Sequence, residues 1–242
     1  IKSIILVLAS TVWCHAVIID KLQVCKRTDS NINDCLKSAI QNALLVLKNG
    51  IPEDNFPSMD PIKVPVWDIY PTPPLHFTKE YKNIEMHNHA GTEIQKVSST
   101  INDQDFMLEI KGFCPFLNFT ADYAFVDSVF AGVDVSGAGK AIYELQGYHI
   151  AMTMKGQVIQ KGNENYLSIT DVTVKMEADD FSADYKSDNA ERDDLINTFA
   201  HHHGKFLFPL VKHDYERIHA EAYKNLANVI FSVVPYDKIF PK

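Results

Sequence analysis

No Gly-x-Ser-x-Gly elbow, phosphate-cradling glycine loop, Cys-x-x-Cys pair or His-Glu-x-x-His helix occurs in the sequence. Those absences remove the readiest signs of acyl transfer, nucleotide chemistry, thiol redox chemistry and zinc hydrolysis. A basic surface is missing too: 23 Lys and Arg stand against 31 Asp and Glu, a formal net charge of −8. Nucleic acid and anionic membranes both call for a positive face, so neither is expected as a partner. After the first dozen residues no apolar run approaches the roughly 20 residues needed to cross a bilayer, so no integral membrane contact is expected.

What is present suits a well-packed globular chain. Hydrophobic residues make up 46% of the 242 and charged residues 22%, which excludes a disordered polyampholyte. Fourteen Phe and ten Tyr are more aromatic surface than an ordinary core needs. The opening stretch reads as an export signal: Lys2 supplies the positive end, Ile4 to Val12 the apolar run, and Cys14-His15-Ala16 the small residues before a cleavage point. Residues 1–16 are therefore expected to be a signal peptide and 17–242 the mature domain. In an oxidising compartment Cys25 and Cys35, ten positions apart, are the natural disulfide pair, and Cys114 is left odd, a buried thiol or one half of an intermolecular bridge.

Periodicity divides the mature chain in three. Leu36, Ile40, Ala43, Leu44 and Leu47 fall on one helical stripe, with Ser30, Asn31 or Asn33 to cap it and Gly50 to end it. The stretch 51–61, rich in Pro and turn residues, cannot continue that helix. From about 62 to 186 the pattern is strand-like. Apolar residues take the odd positions from Leu117 to Phe125, and beyond Gly147 the apolar set changes from Ala141, Tyr143 and Leu145 to Tyr148, Ile150, Met152 and Met154. A change of phase at a glycine predicts a bend or bulge. From about 190 to 232 the spacing is helical again, with Leu195, Phe199, Leu207, Val211, Tyr215, Ile218, Ala222, Leu226 and Val229 on the stripe and Pro209 expected to start or kink a segment. Such a helix is ~60 Å long and needs an equally long partner. The bent sheet is the available one. The expected fold is a single elongated α+β domain: a short N-terminal helix, then a strongly curved antiparallel sheet wrapped around a long C-terminal helix.

Motifs in this order resemble the insect haemolymph juvenile hormone-binding protein and takeout family. They are the cysteine pair with Asn33-Asp34-Cys35-Leu36, then Gly50-Ile51-Pro52-Glu53 with Pro57-Ser58-Met59-Asp60-Pro61. Gly137-Ala138-Gly139 follows between two long strands, and Asn228-Val229-Ile230-Phe231 precedes Pro235 and Phe240 at the end. The match covers the whole mature chain. It implies a fold of the tubular lipid-binding type with an apolar cavity between sheet and helix, no catalysis and no cofactor. It also implies a terpenoid hormone, fatty acid or similar lipid as ligand, in a protein secreted to haemolymph or another extracellular fluid. Hormone-binding members carry a second disulfide in the C-terminal half; here only Cys114 remains, which is closer to takeout.

The expected cavity lining is Leu117, Phe119, Tyr123, Phe125, Tyr143, Leu145, Tyr148, Ile150 and Met152 from the sheet, with Phe199, Val211, Tyr215, Ile218 and Phe231 from the helix. For any one of these side chains plain core packing is the favoured reading, since buried aromatics mostly pack. Tyrosines stand out, because a buried hydroxyl wants a partner that a lipid's polar group can supply. Of the ten histidines, His201-His202-His203 fan out by 100° each and cannot share an ion; His213, Glu216 and His219 are read as a solvated, pH-responsive helix face, and His87 and His89 as pointing the same way on a strand. No metal ligand set and no catalytic residue is expected. Asn118-Phe119-Thr120 is a glycosylation sequon whose acceptor, Asn118, should face outward if Phe119 faces in. The leading expectation is a monomeric carrier of a small hydrophobic ligand. Two others accompany it: a protein that presents its lipid to a receptor, and an esterase acting on hydrophobic esters.

Overall fold

The computed structural model describes residues 17–69, 78–130 and 132–242; the expected signal peptide at 1–16 lies outside them. In chain order the elements are α1 (Val17–Lys21), α2 (Ile32–Val46), β1 (Ile62–Ile69), β2 (Thr78–His87), β3 (Glu93–Ile101), β4 (Asp105–Val126), β5 (Val129–Phe130), β6 (Val133–Asp134), β7 (Gly137–Lys161), β8 (Glu164–Glu177), β9 (Asp180–Lys186), α3 (Ala190–Phe231) and α4 (Tyr236–Ile239). Short 3-10 turns occur at Pro52–Asp54 and His89–Gly91.

Two strands of unusual length carry the sheet. β4 and β7 pair antiparallel from Asp105 opposite Gln157 to Phe125 opposite Gly137. At ~3.4 Å per residue, 22 residues of β4 span ~75 Å. Each half of this ribbon has its own neighbours. One end reads β1-β2-β4-β7-β9, the other β3-β4-β7-β8, every pair antiparallel.

A seam crosses the ribbon where its halves meet. On β4 the buried set is Phe106, Leu108, Ile110 and Cys114, then Leu117, Phe119, Ala121, Tyr123 and Phe125. On β7 it is Ala141, Tyr143 and Leu145, then Tyr148, Ile150 and Met154. Both strands exchange the parity of their inward residues at Pro115 and Gly147, between the pairs Phe116–Gln146 and Cys114–Tyr148. Pro115 has no N–H to give, and Gly147 takes φ +59, which a side chain would resist. A Cβ there would also meet the Asp179 carboxylate at 2.0 Å. At the same level the backbone N–H of Asp179, in the gap between β8 and β9, donates to the carbonyl of Gln146 at 2.8 Å. The phase change read at Gly147 is thus a bend shared by neighbouring strands, and it lets one sheet curl along a helix.

That helix is α3, 42 residues and ~63 Å long. Its inward stripe includes Ala200, Phe208, Val211, Tyr215, Ile218, Ala222 and Leu226, whereas Leu195, expected on the stripe, is exposed. The break expected at Pro209 lies further back, at His203, whose φ of −124 and ψ of 20 leave the helical region. A proline ring pushes away the carbonyl one turn earlier, here that of Lys205. The chain yields beside it, where Gly204 lets the helix touch the backbone of β9.

Side-chain amides seat the helices on strand edges. Gln41 of α2 accepts from the N–H of Ile94 at 2.7 Å and donates to the carbonyl of Thr92 at 3.0 Å. Cys25 and Cys35 form the expected disulfide and tie the segment before α2 to its first turn. Gly50, expected directly after α2, comes three residues beyond the Leu47 cap and takes φ +76. A Cβ there would lie 2.6 Å from the carbonyl oxygen of Phe56. No helix among the described residues is long and apolar enough to cross a membrane.

Candidate functional site

Two apolar cavities lie along the inner face of the sheet, one on each side of the seam. The larger, about 210 Å³, lies at the β3-β4-β7-β8 end. Ile40 and Leu44 of α2 wall it on one side, Leu108, Ile110, Ile150 and Met152 form its sheet face, and Tyr223, Ala227 and Ile230 come from α3. The smaller, about 70 Å³, sits at the β2-β4-β7-β9 end among Tyr81, Phe125, Tyr143, Tyr185, Phe199 and Val211. A third space, about 610 Å³, is a groove between β1 and α3 with Lys63, Arg217 and Glu221 on its walls. It is larger but polar in part, and it meets the apolar cavity at Leu226, which lines both.

The fourteen residues expected to line a cavity divide among these spaces. Ile150, Met152 and Phe231 line the larger cavity. Phe125, Tyr143, Phe199, Val211 and Tyr215 line the smaller one, and Ile218 faces the β1 groove. Leu117, Phe119, Tyr123, Leu145 and Tyr148 are buried but border none of the three. Of these, Leu117, Phe119, Leu145 and Tyr148 flank the seam, and the core there separates the two cavities. Sequence periodicity found the inward face of strand and helix but not the spaces along it. The contribution of α2 was missed altogether, although its apolar stripe was legible and had to cover something.

Electrostatics distinguish the two cavities. At the smaller one the hydroxyl of Tyr143 reaches that of Tyr81 at 2.6 Å and that of Tyr185 at 3.2 Å. Burial pushes all three phenols up, Tyr185 to about 12, so they stay neutral. Lys79 lies buried on the same wall; burial lowers its ammonium to about 8, partly offset by Asp214. The larger cavity holds no Lys, Arg, Asp or Glu on its walls among the described residues. Its polar groups are Thr92, His89 and Tyr223, the last two joined by a 2.9 Å hydrogen bond between the Tyr223 hydroxyl and Nδ1 of His89.

The histidines correct the sequence reading. His213 is exposed, but His219 is wholly buried and Glu216 nearly so. Residues six apart stand 240° around a helix, so His213 and His219 do not share a face, and α3 is covered on its inner side. Glu216 accepts from Lys175 at 2.8 Å and from the backbone N–H of Met176 at 3.1 Å, which joins α3 to β8. His219 packs against Phe119, Tyr148 and His89. Nor do His87 and His89 point the same way: β2 ends at His87, Asn88 takes φ 71, and the chain turns His89 inward. Among the described residues no three His, Cys, Asp or Glu side chains are grouped to hold a metal ion.

Cys114 is buried beside these groups, with its thiol pushed up chiefly by burial. Asn118 lies on the opposite face of β4 from Leu117 and Phe119, half-buried between His87 and Glu144 on the adjacent strands.

The sequence model of the haemolymph juvenile hormone binding protein family matches residues 3–241. Among solved structures the chain is similar to Takeout 1 of Epiphyas postvittana, with a TM-score of 0.77 at 16% identity, over 91% of this chain and 100% of that one. At that identity the likeness is one of fold. A lipopolysaccharide binding protein matches at a TM-score of 0.33 and 12% identity, over 74% of this chain and 35% of that one, and nothing rests on it. No curated protein sequence matches.

Proposed function

The chain belongs to the haemolymph juvenile hormone binding protein family, and from that premise we propose that it is a secreted carrier of a small lipophilic molecule. The ligand is a terpenoid or fatty-acyl compound held between α2, the sheet and the C-terminal half of α3. One observation supports this above the rest: a cavity of about 210 Å³ walled almost entirely by apolar side chains, with no ionised group on it among the described residues. Such a wall rewards an apolar chain and penalises a charged one. Small-molecule sites usually begin near ~300 Å³, so the occupant is a slim chain and not a bulky ring system. Burying roughly 300–400 Å² of it offers about 8–10 kcal/mol before ordering costs, enough for micromolar binding or better.

Two observations favour the extracellular part of the reading. Cys25 and Cys35 are joined, as suits an oxidising compartment, and residues 1–16 have the composition of an export signal. The interior supplies shape and a few hydrogen bonds, and the reading assigns it no reaction.

The test is native mass spectrometry of the chain secreted from insect cells, followed by organic extraction. A single stoichiometric adduct that extraction removes is expected. A clean unliganded mass that stays unchanged with added terpenoids and fatty acids would mean that the apolar residues are closed core, and the carrier reading would fall.

A further inference from the structure

At the seam-side end of the larger cavity, three buried polar atoms have no hydrogen-bond partner among the described residues: Nε2 of His89, which is on the cavity wall, and, in the core directly behind it, Nε2 of His219 and the hydroxyl of Tyr148. An interior normally pairs such atoms, and leaving one unpaired forfeits the hydration it gave up on burial. Three in one place are a cluster. The rings of His89 and His219 are 5.7 Å apart, and those of Tyr148 and His219 6.2 Å. His89 lines the cavity directly. Tyr148 precedes Ile150 and Met152 on the inward face of β7, and His219 lies one turn before Tyr223 on α3.

The hydrogen-bond partners define what the cluster lacks. Nδ1 of His219 lies 2.7 Å from the carbonyl oxygen of Tyr215, and a carbonyl only accepts, so Nδ1 carries the proton. Burial keeps both imidazoles uncharged, His89 well below its ordinary range and His219 at about 4. Nε2 of His219 is therefore a bare acceptor that requires a donor. The phenol of Tyr148 has a proton to give. An ester, an epoxide or a ketone only accepts and would leave His219 unpaired. An ionised carboxylate would lose its water with no cation to receive it.

We propose, resting on the carrier reading, that this cluster is a head-group site for an uncharged hydroxyl: it takes a long-chain or terpenoid alcohol whose OH donates to Nε2 of His219 and accepts from Tyr148. The alkyl chain then runs along Met152 and Ile230 toward the C-terminal end of α3, and the site selects among lipids of equal length by their ability to donate.

The test compares dodecanol, its methyl ether and dodecane by displacement of a fluorescent fatty probe from the full chain. Dodecanol is expected to bind at least ten-fold more tightly than the ether, which keeps the oxygen and loses the donor. In His219→Phe that ratio should collapse toward one. Tyr148→Phe removes a single buried oxygen and keeps the ring, so it folds even if the histidine variant does not; it should reduce the ratio several-fold. Equal affinities for alcohol and ether in the wild-type chain would overturn the head-group site and leave the carrier intact. Binding of none of the three would overturn both.

Discussion

The amide of Asn228 lies across the edge of β8, accepting from the backbone N–H of Ile169 at 2.9 Å and donating to the carbonyl of the same residue at 3.1 Å. Ile169 lies on the edge strand β8, beside the register shift at Lys155/Gly156, where outward peptide groups have no further strand to pair with. Asn197, near the other end of α3, does the same for Tyr185 of β9, at 2.7 and 2.9 Å. The long helix is thus fastened at both ends to the edge of the sheet by side chains that imitate a strand.

Replacing either asparagine by alanine leaves an N–H and a carbonyl partly buried and unpaired. About 2 kcal/mol is expected for each of Asn197→Ala and Asn228→Ala. The two sites are far apart, so the double variant should lose about the sum. Urea unfolding of the three variants checks this, and strong non-additivity would argue against independent fastenings.

Stability should fall with pH before the carboxylates titrate. His219 is faced by His89 from the turn before β3, Tyr148 from β7, Phe119 from β4, and Tyr215 and Tyr223 from its own helix, none of them charged at neutral pH. Its folded pKa, about 4, lies below the ordinary 6.5, so the unfolded chain binds the proton first. Stability from the neutral imidazole is complete above pH 6.5 and is lost as pH falls toward 4. The displacement corresponds to roughly 3 kcal/mol, and His89 acts in the same direction. Unfolding free energies at pH 7 and pH 4.5 measure the loss, which His219→Phe should flatten.

The long elements were legible because their apolar spacing extends over many residues. The run from Leu117 to Phe125 gave β4, the stripe from Phe199 to Val229 gave α3, and the phase change at Gly147 gave the bend. His219 follows Tyr215 by four residues and precedes Ala222 by three, so the apolar stripe did place it inward; grouping it with the polar His213 and Glu216 hid that spacing. The other parts missed depend on where elements meet. His89 turns inward through a positive φ at Asn88, a single backbone angle with no periodic trace. Which apolar residues border empty space is set by mismatched shapes, as between Ile40 and Met152, and a one-dimensional pattern carries no volume.

Gly204 stands where α3 comes closest to the sheet. A Cβ there would lie 1.6 Å from the carbonyl oxygen of Phe181, a backbone atom that cannot give way cheaply. Gly204→Ala is expected to destabilise by roughly 3 kcal/mol although alanine is the better helix former. Gly162→Ala, with open space around it but φ +64, is the control for backbone strain alone and should lose about 1 kcal/mol. Thermal unfolding of both variants separates the two causes.

The cysteines should behave differently under reduction. Opening Cys25–Cys35 releases a short loop, for which about 2–3 kcal/mol of lost stability is expected. Cys114 is 2% exposed and its thiol is pushed up by burial. It should resist alkylation in the native protein and react only on unfolding. Mass spectrometry after iodoacetamide, with and without urea, reports both.

The claim that the space between α2, the sheet and α3 is the binding cavity is tested most directly by filling it. Ala227 and, from α2, Ala43 line the larger cavity, and Val211 the smaller. A fluorescent fatty-alcohol probe titrated into the wild-type chain should bind once. Ala227→Trp should weaken it at least ten-fold, Ala43→Leu should weaken it to a lesser degree from the α2 side, and Val211→Trp should leave it nearly unchanged, with circular dichroism confirming that each variant is folded. Probe affinity indifferent to Ala227→Trp and Ala43→Leu, or lost in Val211→Trp alone, would contradict the assignment and move the ligand to the other side of the seam.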